Sequence, residues 1–140
     1  MVKYSLERCL ARPADEEGQN YSLIEHLQAV GEAMGNPNGS KIEQLYFMAG
    51  LLHDAGKACH AWQDYIITSP KSKKRGGVPH SFAGAMLFGV FLKKMLKYWN
   101  LPLQDKGVIL ETGLSLIYFI YYHHGLVPDL MGDYPPWFGE

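Results

Sequence analysis

The sequence is short of cysteine, of charge of one sign and of long apolar runs, and each shortage argues against a class of protein. Its two cysteines, Cys9 and Cys59, stand far apart in sequence and form no CxxC pair. A disulfide framework or a zinc–thiolate site is therefore not expected, and a reducing cytoplasm is the natural setting. The most apolar stretch, Gly113 to Tyr122, has Glu111 just before it and falls well short of the roughly 20 residues that span a bilayer. It reads as a buried core helix. The N-terminus has no continuous apolar segment, so no signal peptide is expected. No alternation of apolar and polar residues marks a strand, and no repeat or low-complexity tract occurs.

What is present fits one ordinary core. The chain has 140 residues, 47% hydrophobic and 19% charged, which is typical of a globular domain and unlike a disordered tail. A net charge of −1 excludes a polycation held to nucleic acid by bulk charge. That even balance hides a partition. Residues 1–70 are net −4, residues 107–140 are again net −4, and residues 71–106 are net +7. The basic block comprises Lys71, Lys73, Lys74, Arg75, Lys93, Lys94, Lys97 and Lys106. It is either a phosphate footprint or, as most charge runs are, a solvated loop and helix face.

Helical signals recur along the chain. Residues 1–19 read as an irregular lead-in. Ser22-Leu-Ile-Glu25 is a capping box that opens a helix from Leu23 to about Met34, closed by the Gly35–Gly39 segment. Ser40-Lys-Ile-Glu43 opens a second, apolar from Leu45 to Leu52, which Gly56 ends or bends. Ala58 to Ile67 is a short third helix, and Ser69 to Pro79 a loop. Apolar residues return at helical spacing from about His80 to Trp99, and Leu103 to His124 forms a last long helix before Gly125 and Pro128. The expected fold is all-α, a helical bundle in one domain over residues 1–140.

The histidines fall in a telling pattern. His26 lies mid-helix, His80 opens a helix, and the pairs His53-Asp54 and His123-His124 close the apolar runs AGLL and YFIYY. Polar groups at the ends of apolar helices are costly unless paired or metal-bound. Taken singly, a buried histidine is more often a hydrogen-bonded core residue; jointly, the set favours metal. Adjacent helical residues point about 100° apart, so each dipeptide can reach two neighbouring ions, which suggests a binuclear centre. His60 is set aside as surface or structural. Gly50-LLHDA-Gly56-Lys57 mimics a phosphate loop, but it has five residues between the glycines and Ala58 where Ser or Thr belongs.

With these residues in view, the chain resembles the HD superfamily of metal-dependent phosphohydrolases, and more narrowly the HD nuclease of the CRISPR-associated nuclease–helicase of type I systems. The matching segments are Ser22 to Leu27, Gly50 to Lys57, Trp62 to Tyr65, Pro79 to Ala85, and His123-His124-Gly125 through Asp129. The resemblance implies that His26, His53 and Asp54 hold one metal. Asp54, bridging, would share a second with His80, His123 and His124, and Lys57 would meet phosphate charge. It also implies cleavage of single-stranded DNA within a CRISPR interference complex, beside a helicase that is fused or separate. The family has a further Asp well downstream of the His-His pair, whereas Asp129 and Asp133 lie too near His124 to be that residue. The expectation is a domain truncated at its C-terminus, with the first metal's ligand set the less complete.

Such a ligand set implies two-metal phosphodiester hydrolysis, with ions about 3.5–4 Å apart. Five imidazoles and one carboxylate suit Mn, Fe, Co or Ni better than Mg, which prefers oxygen. Lys73, Lys74 and Arg75, with Lys71, are candidates to guide a DNA strand. Trp62 or Tyr65 is a candidate to stack bases, although both fit a core better. Two other functions fit the same motifs: a phosphohydrolase of nucleotides or cyclic dinucleotides, and a metal-poor HD module used for docking.

Overall fold

A computed structural model describes residues 5–68 and 80–123. Among them run five helices: α1 (Leu23–Met34), α2 (Lys41–Leu52), α3 (His60–Thr68), α4 (Ser81–Tyr98) and α5 (Leu103–Tyr122). The fold is all-α. Short 3₁₀ turns lie at Leu6–Arg8 and Ala55–Ala58. No helix among the described residues is long and apolar enough to cross a membrane. The expected 69–79 loop lies outside the described residues.

Both serine caps form. Ser22 Oγ accepts the Glu25 N–H at 3.4 Å. At Ser40 the box is reciprocal: Glu43 N–H donates to Ser40 Oγ (3.3 Å) and Ser40 N–H to Glu43 Oε2 (2.7 Å). The expected box is thus reciprocal at Ser40, while at Ser22 the hydroxyl caps the Glu25 N–H. α1 then packs flat on α2, because Gly50 has no side chain. A Cβ there would lie 2.8 Å from the Val30 carbonyl oxygen and 2.9 Å from Gly31 Cα. α4 and α5 form an antiparallel hairpin whose inner face joins α2 in one core of Leu45, Ala49, Ala85, Phe88, Leu92, Met95, Ile109, Leu116 and Ile120. A smaller cluster of Cys9, Ala11, Leu23 and Leu27 ties the lead-in to α1.

Two differences from the sequence reading have physical causes. The lead-in holds a minimal antiparallel ribbon, β1 (Leu10–Arg12) and β2 (Tyr21–Ser22), in the register Leu10↔Ser22 and Arg12↔Tyr21. Strands of two and three residues are too short to show alternation. This one is held instead by the Arg12 guanidinium 3.4 Å over the Tyr21 ring. The second difference is that α2 stops at Leu52 rather than at Gly56. Asp54 takes φ −109° and ψ 12°, and its carboxylate turns into the interior, where side chains from several elements satisfy it. A tertiary cluster, not glycine, ends this helix.

Candidate metal centre

The centre is built around Asp54, which is 2% exposed. A lone buried carboxylate is expensive, and here four imidazoles and an ammonium surround it. On one side, Oδ2 faces His26 Nε2 at 3.2 Å, His53 Nε2 at 3.3 Å and Lys57 Nζ at 2.6 Å. On the other, Oδ1 faces His80 Nε2 at 3.2 Å and His123 Nε2 at 2.9 Å. The rings form a continuous wall: His26–His53, His53–His123 and His80–His123 have centroids 5.2, 5.1 and 6.0 Å apart.

The six groups arrive on five segments of the chain. His26 comes from the first turn of α1, His53 and Asp54 from the turn after α2, and Lys57 from the 3₁₀ turn. His80 comes from the residue before α4, and His123 from the residue after α5. Close approach of α4 is permitted by Gly84, where a Cβ would collide with the His53 carbonyl oxygen and lie 2.6 Å from that of Leu52.

The environment sets the charge states. Burial would raise the Asp54 carboxyl, but hydrogen bonds from His123, His53, His80 and Lys57 outweigh it and hold it well below its ordinary range. Burial pushes His26 down, against the pull of Asp54. For His123 burial acts in the same sense, yet the Asp54 carboxylate and the Ile120 carbonyl oxygen prevail and raise it.

The donor chemistry fits a divalent cation on each side. Two sets of ligand atoms lie within 4.8 Å of one another: His26, His53 and Asp54, and Asp54, His80 and His123. His53 Nδ1 lies 2.6 Å from the Gly50 carbonyl oxygen, and His123 Nδ1 lies 2.5 Å from that of Ile120. A carbonyl oxygen can only accept, so both Nδ1 atoms carry the proton. In the neutral rings Nε2 is then a lone pair aimed at an anionic oxygen. That arrangement requires a proton or a metal cation between the two. Backbone carbonyls that fix the far nitrogen in this way are characteristic of metal-binding histidines.

Of the residues singled out in the sequence, His26, His53, Asp54, Lys57, His80 and His123 meet at this one place. His124, Lys71, Lys73, Lys74, Arg75, Asp129 and Asp133 lie outside the described residues. The turn bearing Lys57 is buried, and Lys57 itself is 8% exposed. Trp62 and Tyr65 are half-buried, with the Trp62 ring 4.3 Å from that of His80. His60 is exposed at the start of α3. Cys9 and Cys59 are both free thiols. Though distant in sequence, Cys9 packs against Ala58, the neighbour of Cys59.

Gln63 has a part that the sequence reading did not assign. It is fully buried, and its Nε2 donates to the carbonyl oxygens of Lys57 (2.8 Å) and Leu10 (3.0 Å). Its Oε1 accepts the Leu10 N–H at 2.9 Å. One amide therefore fastens the lead-in to the turn that carries Lys57. The sequence signals were a glutamine in an otherwise apolar stripe of α3 and its place in the Trp62 to Tyr65 segment that carries the resemblance.

No family model matches this chain, and no curated protein or solved structure matches it either.

Proposed function

We propose that this chain is an HD-type, metal-dependent nuclease that hydrolyses phosphodiester bonds of single-stranded DNA. The observation that carries the reading is the division of one buried carboxylate between two sets of imidazoles, Oδ2 toward His26 and His53 and Oδ1 toward His80 and His123. His26, His53 and Asp54 would hold one cation, and Asp54, His80 and His123, with His124 from the family pattern, would hold the other. Divalent ions so bound supply Lewis acidity toward a phosphoryl oxygen and acidify water for in-line attack. The nitrogen-rich set favours Mn, Fe, Co or Ni over Mg.

The chain's own groups do the rest. Asp54 fixes the spacing of the two sets, and the Nδ1–H bonds to Gly50 and Ile120 keep His53 and His123 in the ligating tautomer. Lys57 brings a positive charge to the edge of the centre, where non-bridging phosphate oxygens carry charge in the transition state. Lys73, Lys74 and Arg75 would lead the strand in. By the resemblance of its motifs, the proposed activity would serve CRISPR interference in the cytoplasm, beside an ATP-driven helicase that is fused or separate.

Cleavage of a single-stranded oligonucleotide with added Mn²⁺ or Ni²⁺ is the test. Asp54→Ala, checked for fold by circular dichroism, should lose more than about a hundredfold in rate, since even outer-shell changes cost 10–100-fold. Equal rates for the two proteins would refute the proposal. Phosphate released from nucleotides with oligonucleotides left intact would redirect it to nucleotide hydrolysis.

A further inference from the structure

We infer that Lys57 is a resident cation of the His26–His53–Asp54 set, and that a metal ion must displace its ammonium to bind there. The inference rests on the metal occupancy proposed above and assigns Lys57 a second role at the same centre. Its ammonium is the nearest positive group to the Asp54 carboxylate, 2.6 Å from Oδ2, the same oxygen that faces His26 and His53. A metal–carboxylate bond needs about 2.0–2.2 Å to that oxygen, so ion and ammonium would crowd one anionic atom. Two cations about 4 Å apart repel strongly in a partly desolvated setting.

The ammonium cannot simply be lost to solvent. The lysine side chain is 10% exposed, the Lys57 carbonyl is held by buried Gln63, and the Lys57 N–H donates to the Asp54 carbonyl oxygen at 2.9 Å. With its backbone fixed at both ends, the side chain can yield only by swinging its tip. The Trp62 ring, 5.4 Å from Nζ, offers a π face on that path. The ammonium leaves the carboxylate when metal arrives and is then available to a phosphate. Lysine release and metal uptake are one exchange.

The experiment is equilibrium binding of Mn²⁺ alone, with free ion counted by electron paramagnetic resonance. A His80→Ala background weakens the opposite set, so the isotherm reports the one beside Lys57. Lys57→Met, which keeps the stem and removes the charge, should tighten Mn²⁺ binding there by on the order of tenfold or more. Lys57→Gln should do the same if Lys57→Met fails to fold. An unchanged or weaker Kd in a folded neutral variant overturns the inference while leaving the metal reading intact. No Mn²⁺ uptake by wild-type protein overturns both.

Discussion

Asp54 carries its charge where water has almost no access, so its neighbours decide how the metal-free protein responds to acid. Its carboxyl is held well below the ordinary value near 3.8, and it stays ionised in the fold where the unfolded chain protonates. The stability it contributes is complete above about pH 5 and is lost as pH falls below about 4, at up to about 1.4 kcal/mol per pH unit. His123 has the opposite sign: its contribution is present below its ordinary value of 6.5 and is lost as pH rises through the raised one. His26, held down, adds stability above 6.5 that is lost as pH falls through its lowered value. The two histidines oppose each other near neutrality, and the acid limb is therefore the clean measurement. Urea unfolding from pH 5 to 2.5 should show a steeper slope in wild-type protein than in Asp54→Asn, with Glu7, Asp15 and Glu43, also held low by hydrogen bonds, contributing to both. At this scale the residue types were legible in the sequence, because His-Asp and His-His closing apolar runs have few structural explanations. The buried state of Lys57 was not, since a lysine after a glycine normally marks an exposed turn. Nor was the work of Gln63, whose partners Leu10 and Lys57 lie on separate segments.

Among the elements, the position of α4 against the His53–Asp54 turn governs whether His80 reaches Asp54. Alanine is the better helix former by about 1 kcal/mol, so Gly84→Ala would stabilise an exposed helix. Here the added methyl meets the His53 carbonyl oxygen, and overpacking of this kind costs about 1–3 kcal/mol. The expected result is a lower urea midpoint together with Mn²⁺ affinity weakened at least about tenfold, as His80 is carried outward with α4. A gain in stability would show that α4 is free to shift without cost. The helices themselves were largely written in the sequence. Ser22 and Ser40 announced α1 and α2 to the residue, and the apolar spacing placed α4 and α5 within one or two positions of their ends. The end of α2 and the β1–β2 ribbon were not readable, because both depend on contacts with distant segments rather than on local propensity.

For the whole molecule, the centre joins α1, the turn after α2, and the ends of α4 and α5, so an ion bound there acts on the folding equilibrium of all of them. A ligand at a hundred times its Kd adds about 2.7 kcal/mol to the stability of the form that binds it. For a chain of this size that is a rise in Tm of roughly 10 °C. Scanning calorimetry with Mn²⁺ or Ni²⁺ should show the rise, and a chelator should remove it. An unchanged Tm at saturating concentrations of metal would show that the folded protein does not bind the ions preferentially. The same scale shows where the charge partition falls. Lys93, Lys94 and Lys97 are exposed on α4, as a solvated helix face would be. Beside them runs an apolar groove between α4 and α5, where Phe82, Met86, Val90 and Leu114 are each more than half exposed.

The spread of the five groups around Asp54 also sets a clock. His26 meets Asp54 through the pairing of α1 with α2, whereas His123, at the end of the described residues, reaches the carboxylate only when α5 has folded back along α4. Contacts so remote in sequence form late. During synthesis from the N-terminus, the growing chain holds no complete pair of ligand sets until its last helix has emerged and docked. Under the proposed function, such a chain would acquire its cutting activity only once α5 had docked.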